Sequence, residues 1–168
     1  MSLPIVGAKK KSPNRPTTHA ELDMGRMMQI AGELGELLEE HEAEALTPAL
    51  VEEIAEELGV RESHVYVAAA TMSEIPCHAE APVQLSLCVG NCQKWGAVEL
   101  LERVLDVHGR QRASSGDEDG GFDVVVKSCL DRCVDAPVVL IRTPEGMAGL
   151  APASLAKLDE ALRELQEG

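Results

Sequence analysis

From residue 20 the apolar positions recur at three- and four-residue steps. In AELDMGRMMQIAGELGELLEEHE they are Met27, Ile30, Ala31, Leu34, Leu37 and Leu38, one stripe that predicts an amphipathic helix. LTPALVEEIAEELGV predicts a second helix, with Thr47 placed to cap it, Pro48 at its first position and Gly59 where it would close. Ser63 is a candidate cap for a third helix over His64 to Met72. The period changes at Pro76. Val83, Leu85 and Leu87 alternate with Gln84 and Ser86, which predicts a strand running into Cys88. Gly96 to Val107 predicts a helix stopped by Gly109, and the polar stretch 109–121 a loop. FDVVVKSC predicts a second strand, PVVLI from Pro137 a third, and TPEG a tight turn into a fourth at Met147 to Leu150. A last helix follows from about Ser154, with Leu155, Leu158, Leu162 and Leu165. The whole predicts an α/β chain in which helices cover a small sheet, preceded by a helical bundle. The expected division is a tail at 1–19, a bundle at 20–75 and a sheet-bearing domain at 76–168.

Composition restricts what such a fold can do. Of 168 residues, 45% are hydrophobic and 26% charged, the balance of a chain that folds. Aromatic residues are only 2%, so Leu, Val, Ile, Ala and Met must build the core. A formal charge of −14 argues against nucleic acid, whose phosphates are bound through excess Lys and Arg. Lys9, Lys10, Lys11 and Arg15, interleaved with Pro4, Pro13 and Pro16, read as a disordered basic tail. No run reaches the ~20 apolar residues of a membrane helix. MSLPIVGAKKK has no apolar segment long enough for a secretory signal, so a cytoplasmic location is expected.

The cysteines carry the chemistry. Cys88 and Cys92 follow the first predicted strand in LCVGNCQKWGA, and Cys129 and Cys133 follow the second in SCLDRCVDAP. Loops on neighbouring strands meet at one end of a sheet, so four thiolates can converge there, a metal-site signal. The spacing alone leaves a two-iron, two-sulfide cluster, a structural zinc and ordinary thiols open. Thioredoxin-type redox chemistry uses two intervening residues, and here there are three. Neither GxGxxG nor GxxxxGK[ST] occurs, so nucleotide binding by this chain has no support.

CVGNCQKWGA, SCLDRCVDAPVVLI and GMAGLAPASLAKLDEAL together resemble the thioredoxin-like 2Fe-2S ferredoxin family. That family includes the small iron-sulfur subunit of the NADH-oxidising module of respiratory complex I and relatives in NAD-linked hydrogenases and formate dehydrogenases. The resemblance runs from about residue 20 to the end, with ALVEEIAEELGVRESHVY matching the N-terminal bundle of the larger members. It implies a thioredoxin-like sheet, a 2Fe-2S cluster ligated by Cys88, Cys92, Cys129 and Cys133, and a non-catalytic role in one-electron transfer. The implied partner is the flavoprotein subunit of an NAD-linked oxidoreductase, with a homodimer also possible. A zinc-stabilised or cluster-free interaction module and a free-standing soluble ferredoxin are the alternatives. The larger members usually place four residues between the first two cysteines, where Val89, Gly90 and Asn91 are three. Their second pair usually encloses Leu, Gly and a small residue, where this chain has Leu130, Asp131 and Arg132. Asp tolerates a left-handed backbone, so the turn can survive that change. VAAATMSEI at 67–75 lacks the aromatic pair typical of the complex I type.

Around the four, Gly90 and Asn91 suit a loop whose amides point at sulfur, and Arg132 is a candidate for raising the potential. Trp95 is placed to shield the site, dock a partner or simply pack. Cys77 is expected as a linker thiol, with a ligand exchange with Cys88 as the alternative. Met24, Met27 and Met28 read as core filling.

Overall fold

The computed structural model describes residues 22–116 and 121–167, so the basic tail expected at 1–19 lies outside the described residues. Three helices come first: α1 Met24–Glu40, α2 Pro48–Leu58 and α3 Glu62–Met72. Asp23 caps α1 by accepting from the Arg26 N–H, and Thr47 caps α2 by accepting from Leu50. Gly59 closes α2 in the left-handed conformation at φ 66°, as its position predicts.

The stripe of α1 turns Met27, Ile30, Leu34 and Leu38 inward. Of the three methionines only Met27 fills the core, because Met24 and Met28 fall on the outer face and are 65% and 61% exposed. α3 differs from its neighbours. Its consecutive residues Val65 to Ala69 are all buried. A helix apolar all round belongs between other elements, and α3 packs against α1, α2, the long helix α4 (Ala97–Ser115) and strand β2 (Asp123–Lys127).

The second half is built from β1 Gln84–Cys88, α4 Ala97–Ser115, β2 Asp123–Lys127, β3 Val139–Thr143, β4 Gly146–Leu150 and α5 Leu155–Glu167. The strands lie in the order β2-β1-β3-β4. β1 runs parallel to β2 and antiparallel to β3, and β3 antiparallel to β4. Register places Leu85, Leu87, Val124, Val126, Val139 and Ile141 on one face. These share a core with Leu101 and Val104 of α4 and Leu158 and Leu162 of α5. The same continuous core takes in Ile30, Leu34 and Tyr66 of the bundle. The opposite face carries Gln84, Ser86, Lys127, Leu140, Arg142 and Met147 and lines an open groove of about 660 Å³.

Two helix boundaries also differ from expectation. Gly109 does not stop α4, which runs to Ser115 and is capped by Gly116 at φ 72°. A glycine in a helix costs only about 1 kcal/mol, and Arg110, Gln111, Arg112 and Ala113 beyond it are good helix formers or neutral in the last turns. Ser63 is not a cap. The helix starts one residue earlier, at Glu62 with Arg61 in the capping position, and the buried Ser63 hydroxyl donates to Glu102 of α4 at 3.1 Å.

Candidate metal centre

The parallel ladder between β1 and β2 runs from Gln84 opposite Asp123 to Cys88 opposite Lys127, and does not stop at the strand ends. The Val89 N–H donates to the Lys127 carbonyl at 2.8 Å and the Gly90 N–H to the Ser128 carbonyl at 3.0 Å. The loop after Cys88 is thereby zipped against the approach to Cys129. The fit is close: a Cβ at Gly90 would lie 2.5 Å from the Ser128 oxygen, so only glycine leaves the loops this near. Cys92 then falls in a 3-10 turn, Asn91–Trp95, which Gly96 ends at φ 98°.

The second loop turns at Asp131, the non-glycine position flagged for a left-handed backbone, and it adopts φ 58°. The Asp131 N–H donates to Cys129 Sγ at 3.2 Å. A short 3-10 turn, Cys133–Asp135, leads into Ala136 and Pro137.

The thiols stand as two pairs of unlike exposure. Cys88 and Cys92 are buried, with sulfurs 2.7 Å apart. Cys129 and Cys133 are exposed, with sulfurs 3.6 Å apart. A hydrogen bond from Cys92 lowers the Cys88 thiol to about 7, against the cost of burial and with the backbone N–H groups of Leu130 and Val138 assisting. The same bond, with burial, pushes Cys92 up. Cys133 is raised chiefly by its bond to Cys129, and the charge of Cys88 adds to this. The two pairs therefore sense one another across the gap between the loops.

Two thiolates on one tetrahedral metal, at bonds of about 2.3 Å, stand roughly 3.7 Å apart. The Cys129–Cys133 separation fits this as it is. Cys88 and Cys92 would open by about 1 Å to do the same. Among the described residues no three His, Cys, Asp or Glu side chains converge on a point where one ion could be held. A single zinc needs all four thiolates at one point, whereas a two-iron centre needs one pair for each iron. The pairwise arrangement, with amides of the second loop directed at a sulfur of the first, suits the latter.

Trp95 is half-buried and packs with Leu130 against Cys88, Cys92, Ala97 and Ala136, so it walls the buried pair. Arg132 is exposed and leans away over β4, its Nη1 3.7 Å from where a Cβ of Gly149 would sit. Cys77 is not brought to the four. It lies along the outer edge of β2, where its sulfur accepts from the Val126 N–H at 3.5 Å and burial pushes its thiol up.

One residue at the site gave no sequence signal. Gln93 Nε2 donates to the Val89 carbonyl at 2.7 Å, and its Oε1 accepts from the Leu22 N–H at 2.8 Å. Nothing local marks a glutamine whose second partner lies ahead of α1.

The model of the thioredoxin-like [2Fe-2S] ferredoxins matches residues 25–165. No curated protein matches the chain.

Proposed function

Because the chain belongs to the thioredoxin-like [2Fe-2S] ferredoxin family, we propose that Cys88, Cys92, Cys129 and Cys133 hold its cluster and that it serves as an electron-transfer subunit of an NAD(H)-linked oxidoreductase. When bound, the cluster accepts and returns one electron. The chain's residues do the rest. The buried pair and Trp95 exclude water from one side, and the Leu130 and Val138 amides offer donors to sulfur, which favours the reduced state. The exposed pair leaves the other side open to a partner. The observation that carries the reading is the zipper of Val89 and Gly90 onto Lys127 and Ser128, which sets one thiol pair beside the other.

The proposed partner is a flavoprotein that exchanges hydride with the nicotinamide, since this sequence has no dinucleotide-binding glycine motif. Among the described residues no helix is long and apolar enough to cross a membrane; a cytoplasmic location is part of the proposal. Anaerobic purification with iron and sulfide analysis tests the cluster. The expected result is a brown protein with about two of each per chain, lost in Cys88→Ser and Cys129→Ser and kept in Cys77→Ser. A colourless protein with one zinc ion would overturn the reading. For the partner, NADH should bleach the colour only when the flavoprotein is added; bleaching by NADH alone would remove the need for it.

A further inference from the structure

Gln93 joins two parts of the molecule that lie 71 residues apart in the chain. Its backbone N–H closes the first loop on the Gly90 carbonyl at 3.2 Å. Its side chain holds the Val89 carbonyl on one side and the Leu22 N–H on the other. The Val89–Gly90 peptide is therefore fixed at both polar ends: Gln93 holds the carbonyl, and the Ser128 oxygen takes the Gly90 N–H. Leu22 immediately precedes Asp23, the cap of α1. A primary amide suits this post because one partner accepts and the other donates, which also sets its orientation. Glutamate could serve only Leu22, and methionine neither. Beside the link lies a cavity of about 630 Å³ between bundle and loop, lined by Met24, Met27, Met72, Asn91, Lys94 and Ser128 among others. Leu22 also packs against the core, and the two hydrogen bonds of Gln93 are the polar part of the connection.

We propose that Gln93 is a positioning residue that couples the entry of α1 to the first cysteine loop, so that displacement of that entry is felt at the cluster as a change of potential. The potential of such a centre follows the amide dipoles around its sulfurs, and Gln93 holds the Val89–Gly90 peptide between Cys88 and Cys92. The inference rests on Cys88 and Cys92 holding the cluster.

The test compares full-length, cluster-loaded Gln93→Met, Gln93→Glu, Leu22→Pro and Leu22→Ala with the parent. Leu22→Pro removes only one end of the link by deleting the N–H, and Leu22→Ala controls for the lost side chain. Gln93→Met should shift the midpoint potential and speed cluster loss to a chelator roughly five- to thirty-fold, the effect of one to two neutral hydrogen bonds. Leu22→Pro should shift the midpoint in the same direction, Leu22→Ala should not, and Gln93→Met with Leu22→Pro should match Gln93→Met alone. In the cluster-free protein, exchange of the Leu22 amide should quicken in Gln93→Met and stay slow in Gln93→Glu. The proposal is overturned if Leu22→Pro leaves the midpoint in place, if the two shifts add, or if Leu22 exchange ignores Gln93. A parent chain that assembles no cluster would sink the ligand assignment, while the exchange measurement would still decide the link.

Discussion

Replacing Gly90 by alanine puts the closeness of the two cysteine loops to a direct trial. Gly90 has a negative φ of −75°, so the case rests on space and not on a left-handed backbone. The added Cβ would stand 2.5 Å from the Ser128 carbonyl oxygen and 3.5 Å from its carbon. The obstacle is backbone, which has no rotamer to change, so the loops must separate by several tenths of an ångström. Such overpacking costs about 1–3 kcal/mol. Stretching the 3.0 Å bond from Gly90 to Ser128 adds about 1 kcal/mol. The expected loss is about 2–4 kcal/mol, or roughly 5–12 °C in the melting temperature of a chain this long. Differential scanning fluorimetry of the cluster-free protein reads the stability, and iron content reads the seat. Alanine should lower both, and serine more so. If Gly90→Ala melts within about 1 °C of the parent and takes up full iron, the loops are not held as described and the steric argument fails.

Gly109→Ala is the counterpart, because nothing stands within 4 Å of its Cβ position and it lies inside α4. It should raise stability by about 0.5–1 kcal/mol in a denaturant melt. In the cluster-free protein two thiols, Cys129 and Cys133, should react with a thiol reagent well before Cys92, and counting labels by mass over time checks this. His64 is lowered by burial first and by Arg61 second. A histidine depressed in the fold contributes stability that is present above its unfolded value near 6.5 and lost as pH falls through the lower folded value. Urea melts of His64→Gln should therefore lose less stability than the parent on acidification below pH 6.5.

Most of the architecture was legible because it follows local periods. The α1 stripe, Thr47, Pro48 and Gly59 each did in the structure what their positions predict, and so did the left-handed Asp131. The paired cysteines were legible for the same reason, since a strand followed by a cysteine pair repeats within the sequence. What failed were boundaries decided by tertiary contact. Gly109 is tolerated because α4 is anchored by the core up to the residue before it, with Val104, Val107 and His108 buried. Ser63 faces Glu102 rather than its own helix start. Met24 and Met28 share a composition with Met27 and not its face. Gln93 could not be found at all, because its meaning lies in Leu22.

The single core running from Ile30 and Tyr66 to Leu85, Val139 and Leu158 bears on how such a chain can be inherited. A segment that merely rides on a host can be gained, lost or exchanged between genes with its host unharmed. The bundle is not of that kind, since α3 covers the flank formed by α4 and β2 and supplies Tyr66 to their interior. Its loss would have to be matched in the same lineage by new polar residues along that flank. Shorter relatives should therefore differ from this chain at α4 and β2 as well as at their beginnings.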